Sequence, residues 1–218
     1  MAIYNAGYLS PIRKKLGNAV GRKWRTLDVL AVYQPFVSNP NTEAQQLVRA
    51  RFSTAAKLAM SFARALEKGF YAICKGTKIP ERSMFIKKNW SSITASSPSS
   101  VSIDYTELVI AQGALPECLF ASPTFNDPLQ VDVAMTDTSS VEGASASDKV
   151  YFLVYSPEAG AAVFSDGRNT RADATASIVV PAYWNGHRVH VWGFAVGNGA
   201  DNKGIISNSR YLGAGTIS

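Results

Sequence analysis

The feature that most restricts how this chain can fold is a stretch whose apolar residues recur at steps of three and four, the spacing of one face of an α-helix. The helix is expected to begin at Glu43, because Thr42 can serve as its N-cap and Gln45 can complete a capping box. A helix of about 30 residues spans roughly 45 Å, so its apolar face has to be covered by the rest of the chain or by a neighbouring subunit. That packing face consists of Ala55, Leu58, Phe62, Leu66, Phe70 and Ile73.

Strands are predicted on both sides of this helix. Residues 17–34 indicate a β-hairpin with a tight turn at Thr26, Leu27 and Asp28, and a second, shorter helix is predicted after Pro80. From Asp104 onward, short alternating segments separated by Gly, Pro, Asn and Asp are typical of an all-β sandwich. The seven candidate strands are 108–111, 129–136, 149–155, 162–165, 174–180, 188–196 and 207–212.

These patterns together predict the fold class. Side chains alternate along the candidate strands, as in 149–155, where Val150, Phe152 and Val154 point to one side and the residues between them to the other. The fold is therefore expected to be α+β: an N-terminal β-hairpin and a long α-helix, followed by a C-terminal immunoglobulin-like or fibronectin-type β-sandwich.

Charge is distributed unevenly along the chain. Residues 1–95 contain 16 Lys and Arg against 4 Asp and Glu, a net charge of +12, whereas residues 96–218 contain 6 against 12, a net charge of −6. These sum to the overall charge of +6. At the junction, seven of the residues 91–102 are serine, a composition typical of a flexible connection. We therefore expect a basic domain at 1–95, a Ser-rich linker at 96–103 and a β-sandwich domain at 104–218.

Three interpretations of this charge pattern stay open. The two halves are solvated faces of opposite sign, or the basic half binds phosphate backbones, or identical subunits meet basic end to acidic end. Trp24 lies between basic residues and is suited to stacking on a base, although the favoured interpretation is that it packs inward. The candidates for contact with nucleic acid or another anionic partner are Arg13, Lys14, Lys15, Arg22, Lys23, Trp24 and Arg25.

No residue pattern indicates catalysis or metal binding. His187 and His190 are expected on one strand, where a spacing of three turns them to opposite faces, and Cys74 and Cys118 have no neighbouring histidine in sequence. The turn 197–204 contains Asp201 without the spacing of a calcium loop, and 166–171 form a polar loop without a reactive constellation. The sequence favours a protein that is not an enzyme and that uses no cofactor, metal or small-molecule substrate.

Six segments in order resemble a known family. They are MAIYNAG, GNAVGRKWR, NPNTEAQQLVRARF, IDYTELVIAQGALP, DKVYFLVYSPE and NSRYLG. They are similar to an uncharacterised Bacteroidetes family of about this length that is described only as a domain of unknown function. The resemblance covers nearly the whole chain and departs from the family at SPIRKK (residues 10–15), where relatives more often carry glycines. It implies a bacterium of that phylum or one of its phages, and no activity, cofactor or site residue.

The function expected from the sequence is a non-enzymatic structural subunit of a phage virion, in its tail, connector or capsid-associated layer, or of a similar assembly such as a ring. Its partners are then other copies of itself and neighbouring structural proteins. The first alternative is a protein that contacts DNA through its basic half, and the second is a surface recognition or adhesion module. No secretion signal or membrane span is apparent, so the expected location is a virion or the cytoplasm.

Overall fold

The computed structural model describes residues 2–4, 13–36, 41–125 and 129–218. The chain divides into two compact units, Met1–Thr42 and Glu43–Ser218, called unit 1 and unit 2 here. The boundary between them lies directly before the helix and not at the serine-rich segment 96–103, which is part of a hairpin inside unit 2. Helices and antiparallel sheets are both present, which confirms the α+β class.

Unit 1 is a four-stranded antiparallel sheet with the order β1-β4-β3-β2. The predicted hairpin is its centre, but the turn lies at Arg25 and Thr26, one residue earlier than predicted. Arg25 adopts a φ of 53°, the positive value that two-residue hairpin turns favour at their first position. Two further strands that the sequence did not reveal flank the hairpin. The strands are β1 (Ala2–Tyr4), β2 (Lys14–Leu16), β3 (Ala19–Trp24) and β4 (Leu27–Val32).

Unit 2 begins with helices where the sequence predicted one long helix and a shorter one. The long helix is interrupted at Phe62 and Phe70, whose backbone angles depart from the helical values. The hydrogen bonds from N–H to the carbonyl four residues earlier continue through both positions, so the apolar face stays on one side. The helices are α1 (Glu43–Ser61), α2 (Ala63–Gly69), α3 (Tyr71–Cys74) and α4 (Glu81–Lys88).

Most of unit 2 beyond the helices is β-structure. A hairpin comes first, and seven further strands form a four-stranded sheet of order β10-β9-β12-β13 and a three-stranded sheet of order β11-β8-β7. A single turn of 3₁₀ helix, Ala182–Trp184, follows the fifth of these strands. The strands are β5 (Ile93–Ser97), β6 (Ser100–Ile103), β7 (Leu119–Phe120), β8 (Gln130–Thr136), β9 (Lys149–Ser156), β10 (Ala161–Phe164), β11 (Thr175–Val179), β12 (Arg188–Val196) and β13 (Arg210–Thr216).

The four-stranded sheet is the middle layer of unit 2 and has a core on each face. Tyr151, Leu153 and Tyr155 of β9 pack with the helices, and the residues that alternate with them, such as Phe152, pack against the three-stranded sheet. The helical face described above lies in the first of these cores, where Ala55, Leu58, Phe62, Leu66 and Phe70 are buried and Ile73 is partly buried. Both faces of β9 are therefore apolar because both are covered.

One predicted strand is wrong and another is displaced. Residues 108–111 are buried but form no strand, because their backbone bonds to side chains: Asn89 accepts from the Val109 N–H at 2.7 Å and donates to its carbonyl at 2.8 Å. The predicted strand 207–212 lies three to four residues later, as β13. His187 precedes β12, so only His190 lies on a strand. Among the helices that the structure describes, none combines the length and apolarity of a membrane span.

Candidate functional site

The basic candidates of unit 1 are all exposed. The strand register places Lys15, Arg22 and Trp24 on one face of the sheet, because Lys15 pairs with Val20 and β3 alternates from Val20 to Trp24. Lys14 and Lys23 align with the opposite face, since Lys14 pairs with Gly21. Arg25 lies in the turn, and Arg13 precedes β2. The structure thus divides the basic candidates between two faces and the edge of one small sheet.

Trp24 does not pack inward, contrary to the interpretation that the sequence favoured. Its side chain is 56% exposed, on the same face as Arg22. The physical reason is the thinness of unit 1: it has a single sheet layer, in which Val29 is the one large apolar residue buried among those described. Lys15 lies close to a second aromatic ring, with its ammonium nitrogen 3.8 Å from the centre of Tyr33. Exposed cations and exposed aromatic rings therefore share this surface.

At one end of the two sheets of unit 2, four loops converge and form what we call the loop end: residues 113–118, 137–148, 165–174 and 197–205. They converge because the start of β9 pairs with the end of β12, and the start of β11 pairs with the end of β8. The exposed carboxylates of the loop end are Glu117, Asp137, Glu142, Asp166, Asp173 and Asp201. The exposed cations there and at the adjoining start of β9 are Lys149, Arg168 and Lys203.

A buried ion pair holds the four loops together. The Arg171 Nε donates to the Asp148 Oδ2 at 3.1 Å, and neither side chain is exposed. The remaining guanidinium nitrogens donate to the Thr138 hydroxyl at 2.8 Å and to the carbonyls of Pro116 and Glu117 at 2.8 and 3.3 Å. Arg171 thereby connects three of the four loops: its own, 165–174, and the loops 113–118 and 137–148.

Asp148 joins the last loop to the others. Its Oδ1 accepts from the Asn202 amide at 2.9 Å and from the Asn198 N–H at 3.2 Å, and its Oδ2 accepts from the Ser145 N–H at 2.9 Å. Asn202 also donates to the Gly143 carbonyl at 3.0 Å. Because each charge has several partners, the pair offsets its own desolvation and fixes the loops in one arrangement.

A cleft of about 430 Å³ opens above this network. Leu115 and Pro116 form part of its wall, and Glu142, Ser145 and Asp201 line it together with Asn202. Its two lining carboxylates, Glu142 and Asp201, are exposed, whereas the Asp148 carboxylate of the network lies outside the lining and is neutralised by Arg171. The cleft thus presents a rigid, acidic surface suited to a cationic partner.

Two other groups of potential reactivity, the Cys118 thiol and the His190 imidazole, are buried. Burial raises the pKa of the Cys118 thiol, an effect that the nearby Arg171 charge only partly opposes, so the reactive thiolate is disfavoured. No cluster of three or more metal-ligating side chains occurs among the described residues. His190 stacks on Tyr105 with ring centres 4.0 Å apart and bonds to the Tyr211 hydroxyl at 2.9 Å, which places it in the helical core.

The sequence had drawn attention to two segments of the loop end, 166–171 and 197–204, but as ordinary polar turns. Nothing in the sequence joined Asp148 to Arg171, which lie 23 residues apart. A usable signal is the position of Asp148 immediately before a long apolar run, residues 150–155, where a charge needs a partner. The acidic excess of residues 96–218 was visible, but its concentration at one end of the sheets was not.

Comparison with known proteins identifies the family and nothing more specific. The chain matches the family of unknown function DUF6266 over residues 11–213. No curated protein and no solved structure matches it. Because the match includes the hairpin of unit 1 and all four loops of the loop end, both charged surfaces lie within the family region. The chain belongs to the family of unknown function DUF6266.

Proposed function

We propose that this protein is a non-enzymatic structural subunit whose copies associate through the basic sheet of one copy and the acidic loop end of the next. The observation that supports this most is the presence of two exposed clusters of opposite charge on one chain. Unit 1 carries 6 Lys and Arg against 1 Asp, a net charge of +5, and all six cations are exposed. The loop end carries six exposed carboxylates, against three exposed cations there and at the adjoining start of β9.

Such a contact is heterologous, since it joins two different surfaces of the same chain. Copies related in this way form a ring when the rotation closes and a filament or tube when it does not. The buried Arg171–Asp148 pair supports the proposal because it keeps the acidic surface rigid before binding, which lowers the entropic cost of association. A layer of a virion is one assembly of this kind.

The two facing sheets support a further part of this proposal, that the C-terminal region is a fibronectin-type sandwich of the immunoglobulin-like class. Seven antiparallel strands are divided between a sheet of order β11-β8-β7 and a sheet of order β10-β9-β12-β13. The chain crosses between the sheets several times, as in Greek-key sandwiches. Loops at one end of such sandwiches are a frequent site of recognition, as proposed here for the loop end.

Charge reversal tests the association directly. We expect multimers in sedimentation velocity at about 50 mM salt that break up into smaller species at about 500 mM, where the Debye length falls below about 5 Å. The double variants Arg22→Glu/Lys23→Glu and Glu142→Lys/Asp201→Lys should each be impaired alone, and their mixture should associate because the mutated surfaces attract each other. Arg82→Glu/Lys87→Glu on α4 and Glu107→Lys/Glu158→Lys are matched controls, since they change the net charge by the same amounts at exposed positions outside the proposed contact.

Two results would overturn the structural-subunit proposal. One is a monomer at about 50 mM salt even at high protein concentration, where charge attraction is strongest. The other is association that the controls weaken as much as the paired variants do, because net charge alone would then explain it.

A second candidate function is binding of single-stranded nucleic acid, and the exposure of Trp24 favours it. A ring that is 56% exposed beside Arg22 is suited to stacking on a base while the guanidinium pairs with phosphate. Fluorescence anisotropy with a labelled single-stranded DNA at about 50 mM salt tests this. Trp24→Ala should weaken binding by about 5- to 150-fold, the range for one lost base stack, whereas Tyr71→Ala on α3 should not. Absence of binding by the wild-type protein excludes this function.

A further inference from the structure

The two edges of the paired sheets of unit 2 differ in how they are covered. At the β7–β13 edge, residues 121–125 run alongside the sheets: the Ala121 N–H donates to the Ala134 carbonyl at 2.9 Å, and Thr124 bridges to Asp132. Phe125 packs against Gly215 so closely that a Cβ there would collide with its ring. Residues 121–125 thus extend β7 along β8, and Phe125 brings the two sheets into contact at this edge.

The opposite edge is open among the residues described. β10 and β11 are the terminal strands of their sheets, and a cleft of about 390 Å³ lies between them. Phe152 and Val163 line it from the four-stranded sheet, and Ala176 and Ile178 line it from the three-stranded sheet. An exposed edge strand is a template for pairing with another strand, and natural proteins usually protect such edges with charge, proline or a covering segment.

β11 has none of these protections within its five residues, Thr-Ala-Ser-Ile-Val. Hydrogen bonds to β8 show which backbone groups of this strand face inward. The Met135 N–H donates to the Ala174 carbonyl and the Val180 N–H to the Leu129 carbonyl, both at 2.8 Å, in the same register as the rest of the pairing. The backbone groups of Ala176 and Ile178 point to β8. The N–H and carbonyl groups of Thr175, Ser177 and Val179 therefore point away from the sheet.

We propose that β11 pairs antiparallel with β11 of a second copy of this chain, on a twofold axis that passes beside Ser177. The outward-pointing residues are spaced symmetrically about Ser177, so Ser177 meets Ser177 of the second copy and Thr175 meets Val179 of the second copy. Each such pair exchanges two hydrogen bonds, which gives about six across the junction. An isologous contact of this kind requires a self-complementary strand, and this strand is self-complementary in its backbone register.

The exposed side chains of β11 are also compatible with pairing to β11 of a second copy. Val179 is 70% exposed, and pairing would cover it with the β-branched Thr175 of the second copy. No charged residue lies on β11, so the twofold axis brings no like charges together on the strands. This contact joins a surface to itself, whereas the proposed charge-driven contact joins two different surfaces, so the two are independent.

Cysteine cross-linking tests the register. In the proposed pair, the Cα atoms of the two Ser177 residues lie about 5.5 Å apart, within the range that a disulfide spans. The two Thr175 residues lie four positions apart along the strands, about 14 Å, which a disulfide does not span. We expect Ser177→Cys to form a covalent dimer with oxidised glutathione and Thr175→Cys to stay monomeric on non-reducing gels; the native Cys74 and Cys118 are buried.

Sedimentation velocity at about 500 mM salt tests the contact without a cross-link, because screening removes the charge-driven association at that concentration. Wild-type protein should remain dimeric, Val179→Lys should become monomeric, and Leu119→Lys, on the opposite edge of the same sheet, should stay dimeric. Three results would each overturn the proposal. They are a wild-type monomer at high salt, cross-linking through Thr175→Cys instead of Ser177→Cys, and loss of the dimer only in Leu119→Lys. Loss of association at about 500 mM salt with an intact multimer at about 50 mM would leave the charge-driven contact standing alone.

Discussion

Unit 1 and unit 2 differ most in what covers their apolar residues. In unit 2, every strand of the middle sheet lies between two cores, and large side chains such as Trp192 and Phe62 are fully buried. In unit 1, a single sheet leaves Ile3, Leu16 and Val32 more than 60% exposed. A small one-layer sheet of this kind gains little from burial, so unit 2 supplies most of the stability, and unit 1 leaves a larger share of its own apolar residues uncovered. Substitutions that change the stability of the fold without changing its exposed surfaces, or the reverse, test this comparison.

The largest expected effect comes from the helical core of unit 2. Phe62 is fully buried, and its ring lies 5.0 Å from that of Tyr155, 5.6 Å from that of Trp192 and 5.7 Å from that of Phe85. Phe62→Ala should therefore lower the free energy of unfolding by about 3–5 kcal/mol, measured by urea denaturation with tryptophan fluorescence. Phe52→Ala on the same helix, where the ring is 53% exposed, should change it by no more than about 0.5 kcal/mol. Equal effects would contradict the assignment of this helical face to the core.

The next-largest loss of stability is expected from the buried one of two Asp–Arg pairs in the loop end. Arg171→Met leaves the Asp148 carboxylate buried without its counter-charge and should cost about 3 kcal/mol. Arg168→Met breaks the 2.6 Å pair with Asp166, whose side chains are 88% and 58% exposed, and should cost less than about 0.5 kcal/mol. Thermal unfolding followed by circular dichroism distinguishes the two. Similar losses would mean that the buried pair does not organise the four loops.

These two comparisons also show what the sequence could predict. The packing of Phe62 followed from a local repeat of three and four residues, because neighbours on a helix face are neighbours in sequence. The pairing of Arg171 with Asp148 depends on how four loops meet, and no local pattern contains that information. The strand order that brings the loops together was likewise outside the reach of periodicity.

The missed and misplaced elements have the same cause. Residues 108–111 form a short apolar run that predicts a strand, but the Asn89 side chain takes the place of a neighbouring strand. The serine-rich segment resembled a linker, yet Ile93 pairs with Ile103 and anchors a hairpin to the helical core. In both cases a single buried contact outweighs the local composition.

A smaller effect concerns pH. Burial, with a lesser contribution from the Arg188 charge, lowers the pKa of His190 to about 4, below its ordinary value of 6.5. Between these values the unfolded chain binds a proton that the folded chain excludes, so stability is lost as the pH falls from about 6.5 to about 4. The groups facing His190 are Trp192, Arg188 and the tyrosines 105, 155 and 211. Burial raises the pKa of each of these tyrosines, further from this window.

The size of this loss should be about 3 kcal/mol, because the pKa falls from 6.5 to about 4 and a change of one in pKa corresponds to about 1.4 kcal/mol. Urea denaturation at several pH values measures it. In His190→Phe, which cannot take up a proton, the slope of stability against pH between about 4 and 6.5 should be shallower than in the wild type. An unchanged slope would show that other groups produce the pH dependence.

The smallest effect on stability is expected in unit 1, and it separates the two units most clearly. Trp24→Ala removes a ring that is 56% exposed, so the free energy of unfolding should change by less than about 0.5 kcal/mol. The same change should weaken association or nucleic-acid binding, whichever of the two occurs, because an exposed aromatic ring beside cations gains burial only when a partner covers it. A matched substitution, Tyr183→Ala on the 3₁₀ helix of unit 2, removes a ring of similar exposure, 65%, and should leave both properties unchanged. If Trp24→Ala lowered stability by several kcal/mol instead, its ring would have to be covered in solution, and unit 1 would owe its stability to a contact that the isolated sheet does not provide.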